Sequence, residues 1–260
     1  MGTRLILNVP PWLLLACFIV LIAGGAVLLG AVLRRAFPGL KTADHNDALR
    51  FGYGVIGFVY AFFIGFVVSS MWGQINAADA SARAEGVAGL QLARDRTVFD
   101  PADADRVRKD LLDYERAAVA EWPIAARGGS APEAGEALQR LYRTMQDIAP
   151  RNDVQKTFLN TSVANLEKMS QGRAERLIQA DVNTGPTWPL WAVIFLTSGL
   201  VLGSAIAFGV ESPRMHYVVV LTVGVLVAAN LFLVLDLSHA YLGDIATSPE
   251  PLQIVIRDLQ

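Results

Sequence analysis

Two groups of residues in this chain have types and spacings that could do chemistry. The first is polar: Glu85, Glu121, Arg173 and Arg176. Two carboxylates and two guanidinium groups could make an acid/base site or a buried ionic clamp. Arg173 falls on the apolar stripe of its helix, with Leu159, Val163, Leu166, Ser170 and Leu177. Burying it there demands a carboxylate partner, which Glu121 or Glu85 could supply. The clamp is the better reading, because no nucleophile–base pair or metal set accompanies these residues. It also implies that Arg173→Ala destabilises the fold more than Arg176→Ala, since only Arg173 is on that stripe. A further ionisable group, Asp236, sits near the end of an apolar run, where it counts as a functional candidate but is close enough to the interface to be hydrated.

The second group is a stripe. Phe58, Phe62, Gly65, Ser69, Trp72 and Asn76 follow one another at spacings of three or four, so they share one helical face. The face passes from aromatic, through small, to polar. In one reading Gly65 and Ser69 admit a neighbouring helix, as small residues do in membrane bundles. In the other the stripe lines a pore, with Phe58 and Phe62 as a hydrophobic constriction.

The elements that must position these residues are helices. Tyr53–Asn76 is uncharged and long enough to cross a bilayer core, and no proline interrupts the chain from there to Thr97. One helix could therefore leave the membrane and enter a soluble domain. Trp12–Leu33 is an earlier apolar run, stopped by Arg34 and Arg35; its length and charged stop favour a membrane helix over a cleaved signal peptide. Leu190–Val210 and Tyr217–Leu237 are two more, joined by a tight loop over 211–216. The reading is an all-α membrane protein with four transmembrane helices and an all-helical soluble domain inserted between the second and third. Its boundaries are 1–76 for the first helix pair, 77–187 for the soluble domain, 188–238 for the second pair and 239–260 for a tail.

Cap signals subdivide the middle section. Asp100-Pro101 reads as an N-cap with proline at N1, and Val107, Leu111, Tyr114, Ala118 and Trp122 share a face of the helix that follows. Pro123 and Gly128-Gly129 are expected to end it. Ser130 with Glu133 reads as a capping box, and Asn152 with Gln155 starts the last helix before the break at Asn183–Pro189. In the tail, Leu252, Val255, Ile256 and Leu259 form an apolar helical face that needs a surface to cover it.

Composition narrows the function. Of 260 residues 53% are hydrophobic, and the formal net charge of -2 offers no basic surface for nucleic acid. The lone Cys17 excludes a disulfide within the chain and a cysteine metal site. Neither a Gly-rich phosphate loop nor an HExxH motif is present, and His45, His216 and His239 lie in different loops, where solvation is expected. No cofactor, metal or enzymatic activity is expected.

The stretch FVYAFFIGFVVSSMWGQI resembles the second transmembrane helix of the bestrophins, pentameric anion channels, with Phe58, Phe62, Trp72 and Gln74 in the matching places. The rest of the chain resembles the bacterial bestrophin-like family DUF4239. The residues that carry this are Ala84-Glu85, Tyr114, Glu121-Trp122-Pro123, Arg173 with Arg176, Leu235-Asp236 and Gly243-Asp244. There are two departures. The acidic calcium clasp of bestrophins is reduced here to Asp244 and Glu250, so calcium gating is not implied. A third constriction position falls on Gly54, which cannot narrow a pore.

The resemblance implies a homo-oligomer in the cell membrane that passes an anion along the stripe. It also implies a cytoplasmic soluble domain; cations on the two sides of the spans tie in number and do not decide this. The rival hypothesis is a membrane-anchored scaffold or sensor, whose helical domain binds a partner.

Overall fold

The computed structural model describes residues 9–36, 46–181, 185–208, 212–243 and 245–260. His45, Asp244 and part of the Asn183–Pro189 break lie outside the described residues. Helix α1 (Pro11–Ile19) passes through a π-helical turn (Val20–Gly24) into α2 (Gly25–Ala36). Helix α3 (Asn46–Asp95) is followed by a 3-10 turn (Arg96–Val98), α4 (Pro101–Ala125), α5 (Pro132–Gln146) and α6 (Asp153–Asp181). Helices α7 (Trp188–Ala207), α8 (Pro213–Leu237) and α9 (Glu250–Leu259) complete the chain. The described residues contain no strand.

The chain divides into two compact units. The first comprises residues 1–73, 185–239 and 243–245. Among the described residues, four helical stretches are long and apolar enough to cross a membrane: Pro11–Ala36, the apolar part of Gly52–Val98, Trp188–Ala207 and Pro213–Leu237. Inside this unit Ala26, Ile206 and Val220 form a core cluster. The π-helical turn meets α8 at Gly224, where an added Cβ would lie 2.6 Å from the Ala23 Cα, so only glycine permits that approach. Outside, Trp12, Leu21, Leu28, Phe195, Leu196 and Leu221 are exposed. In water so much exposed apolar surface would drive association; hydrocarbon solvates it.

The second unit comprises residues 74–184, 240–242 and 246–260. Val107, Leu111, Tyr114, Ala118 and Trp122 of α4 are all buried, as their spacing requires. Pro123 does not end that helix. It removes one backbone donor, but the Ala126 N–H still reaches the Trp122 carbonyl at 3.0 Å, and α4 runs on to Ala125. Gly128, at φ 77°, makes the left-handed turn, and the Gly129 N–H closes onto the Ile124 carbonyl at 3.0 Å. The Ser130–Glu133 capping box does not form either. Ala131 holds the N-cap position of α5, and its N–H donates to Glu121 Oε1 at 2.9 Å. A carboxylate from another helix thus replaces the local cap. At the start of α6 the expected cap is present, with the Gln155 N–H on Asn152 Oδ1 at 2.8 Å.

The apolar face of α9 is covered within this second unit. Leu252, Val255 and Leu259 are buried. Two glycines of α3 allow the contact: a Cβ on Gly86 would lie 2.7 Å from Pro251, and one on Gly89 would lie 3.1 Å from Val255. Arg108 of α4 donates from Nε to the Leu259 carbonyl at 2.8 Å.

Candidate functional site

The polar constellation closes into one buried cluster in the second unit. Helix α3 contributes Glu85, α4 contributes Tyr114, Glu121 and Trp122, and α6 contributes Arg173 and Arg176. Arg173 makes a two-pronged contact with Glu121, Nε to Oε2 at 2.8 Å and Nη2 to Oε1 at 2.7 Å. Arg176 Nη1 donates to Glu85 Oε2 at 2.5 Å, and its Nη2 lies 3.5 Å from Glu121 Oε2. The Tyr114 hydroxyl donates to Glu85 Oε1 at 2.7 Å. The Arg176 guanidinium also lies over the Trp122 ring, 4.8 Å from its centroid, where the ring face attracts a cation. Trp122 Nε1 donates to the Thr247 carbonyl at 3.2 Å, and Tyr241 packs edge-on against Trp122. The tyrosine, the Glu-Trp pair and the Arg-x-x-Arg read from the sequence therefore meet at one place.

Electrostatics follow from this packing. Burial acts against the charged form of Glu121. The hydrogen bonds from Arg173 and the Ala131 N–H, with the charges of both arginines, more than offset it, and the carboxyl lies below its ordinary value. Burial, followed by the neighbouring Glu85 and Glu115 carboxylates, pushes the Tyr114 hydroxyl well up. The groups neutralise one another, so the arrangement suits holding three helices together.

Arg173 pairs with Glu121, one of its two expected partners. The expected ranking of the arginines is corrected. The Arg176 side chain is 3% exposed and that of Arg173 is 15% exposed, so Arg176 is the deeper residue. The buried face of α6 runs through Ser162, Asn165, Leu166, Met169, Gly172 and Arg176. It is rotated from the stripe of larger apolar residues and is built mostly of small and polar ones, because α3 approaches closely there. A Cβ on Gly172 would lie 3.0 Å from the Glu85 Cβ.

The stripe on α3 belongs to neither cluster. Phe58 and Phe62 are each 73% exposed, and Gly65, Ser69, Trp72 and Asn76 are exposed too. The opposite face of the helix, Tyr60, Ile64, Val67, Met71 and Ile75, is buried. Among the described residues, none from another element lies within 4 Å of where a Gly65 Cβ would be. Among the described residues, Gly65 therefore admits no other helix of the same chain.

Some polar residues of the first unit are more deeply placed than their sequence positions suggest. Asp236 is 7% exposed, next to the buried Leu237, and is not the hydrated interfacial group expected. His216 is not a solvated loop residue. Helix α8 begins at Pro213, so His216 lies in its first turn, fully buried beside Gly30 and Ile206. Tyr60, Ser198 and Asn230 bring polar side chains together from α3, α7 and α8. Glu115 of α4 is fully buried as well. Its signal was in the sequence: Leu111, Glu115, Ala118 and Trp122 are four or three apart, which puts a carboxyl on a core face.

Known structures share this fold. Two single-substitution variants of a bacterial bestrophin homologue from Klebsiella pneumoniae superpose with TM-scores of 0.71 and 0.70, at 12% and 13% identity. The match covers 94% of this chain and 98% and 97% of those chains. A further crystal structure of a membrane protein gives a TM-score of 0.70 at 11% identity, covering 94% of this chain and 97% of that one. No match is found among curated proteins. Identities this low speak for the fold alone. The family model for the Bestrophin-like domain, however, matches residues 20–252, and by that match the chain belongs to the Bestrophin-like family.

Proposed function

We propose that this chain is a multi-pass protein of the cell membrane that assembles with copies of itself into a bestrophin-like pore, with an anion as the permeant. The observation that carries this reading is the uncovered stripe on α3. Phe58, Phe62, Gly65, Ser69, Trp72 and Asn76 face away from the chain's own core along a helix whose other side is packed. Lipid alone would suit the phenylalanines. It suits poorly the exposed Ser69, Ser70, Gln74 and Asn76 on the same part of the helix. Water, or a facing copy around a shared axis, satisfies both groups. Phe58 and Phe62 then form the narrow apolar zone, and Ser69 and Asn76 the wetter end. Glu85, Glu121, Arg173 and Arg176 stiffen the helical domain that carries the pore helix, and Asp236 plays a structural part at the end of α8.

In this reading residues 77–187 form a soluble helical domain inserted between the second and third spans. Family membership favours a cytoplasmic position for that domain and for both termini. A reporter fused after Gln260 is expected to be active in the cytoplasm; activity only outside it would reverse the orientation. Conduction itself is tested with purified protein in liposomes, which should release trapped halide faster than protein-free liposomes do. Release at the protein-free rate would count against the pore and favour a membrane-anchored scaffold whose helical domain binds a partner.

A further inference from the structure

Glu115 plays no part in the ionic cluster beside it, yet it is fully buried. Among the described residues, neither of its carboxyl oxygens has a hydrogen-bond partner. Its Oε1 lies 2.6 Å from where a Gly89 Cβ would be, at the point where Val255 of α9 meets α3. The carboxyl is thus lodged under the tail helix. Arg108, two turns earlier on the same face of α4, holds the end of that helix through the Leu259 carbonyl.

The charges around it do not balance an ionised Glu115. Helix α3 presents Glu85 and helix α6 presents Arg176; from α4 itself come Tyr114 and, further along, Glu121 with its partner Arg173. Both guanidinium groups are directed at Glu85 and Glu121. Three ionised carboxylates against two arginines would leave a buried negative charge. Helix α9 offers nothing to offset it: Leu252, Val255 and Leu259 face inward, while Glu250, Arg257 and Asp258 are exposed. On α5 the buried residues are apolar, and Glu133, Glu136, Arg140 and Arg143 are exposed. Burial, then the Glu85 carboxylate, push the Glu115 carboxyl well above the usual range, with Arg176 acting the other way.

We propose that Glu115 is a proton-operated latch on the tail helix: its neutral carboxyl lets α9 dock on α3 and α4, and loss of the proton undocks it. The proton passes to water. The carboxylate left behind requires hydration, and water reaches it only when α9 moves away. Docking is then at full strength below the ordinary glutamate range, about 4.3. It weakens as pH rises toward the raised value that Glu115 has when covered, because the undocked state binds fewer protons over that interval. This latch is independent of whether the stripe on α3 conducts.

Hydrogen exchange of the full chain in detergent, followed by mass spectrometry over a pH series, tests it. After correction for intrinsic rates, the protection of residues 250–259 should fall by about tenfold per pH unit across that interval. Residues 132–146 of α5 should stay protected. Glu115→Gln, which keeps the shape without the charge, should hold the tail protection constant with pH. Should that variant not fold, Glu115→Met carries the same expectation. Equal pH dependence in wild type and variant would overturn the proposal, and so would constant tail protection in the wild type.

Discussion

Arg176→Ala is expected to destabilise the helical unit by about 3–5 kcal/mol, more than Arg173→Ala does. Without Arg176 the buried Glu85 keeps only the Tyr114 hydroxyl, 2.7 Å away, and Trp122 loses the cation over its ring. Three buried carboxyls then share one guanidinium, and most of the loss is the uncompensated charge of Glu85. Without Arg173, Glu121 retains the Ala131 N–H at 2.9 Å and Arg176 at 3.5 Å. The Arg173 side chain is also the more exposed of the two, at 15% against 3% for Arg176. Melting temperatures of the two variants in detergent give the order. Adding Glu85→Gln to Arg176→Ala should recover part of the loss, because it removes the orphaned charge. Equal stability of the two single variants, or a larger loss for Arg173→Ala, would contradict this account of the cluster.

The difference between the two arginines shows what could be read from the chain and what could not. Arg173 was legible because it follows Leu159, Val163 and Leu166 at helical spacing. Arg176 was not, because the face that carries it is made largely of Ser162, Asn165, Gly172 and other residues with no apolar periodicity. That face is buried by the close approach of α3, which is a tertiary fact. The caps divide in the same way. Asn152 with Gln155 is local chemistry and forms as read. Ser130 with Glu133 is displaced by Glu121, which arrives from another helix and answers to the ionic cluster. The length of α3, Asn46–Asp95, was visible as an unbroken sequence without proline. The burial of His216 depends on where α8 begins and on Gly30, neither of which a single loop sequence reveals.

The larger expected effect is on conduction. Phe58 and Phe62 are exposed in the single chain, and in the pore we propose their rings act only once copies assemble. Rings of phenylalanine around a shared axis would exclude water until the ring widens. Phe58→Ala together with Phe62→Ala should hydrate that zone and raise halide efflux from liposomes above the wild-type rate. Stability should change little, since each ring makes few contacts within its own chain. A packing interface between copies predicts the reverse: truncation opens cavities that cost about 3–5 kcal/mol per phenylalanine, with no leak. Efflux and melting temperature measured together on the double variant separate the two. Faster efflux at a nearly unchanged melting temperature is the result expected of a pore along α3, and a lower melting temperature with efflux no faster than from protein-free liposomes would contradict it.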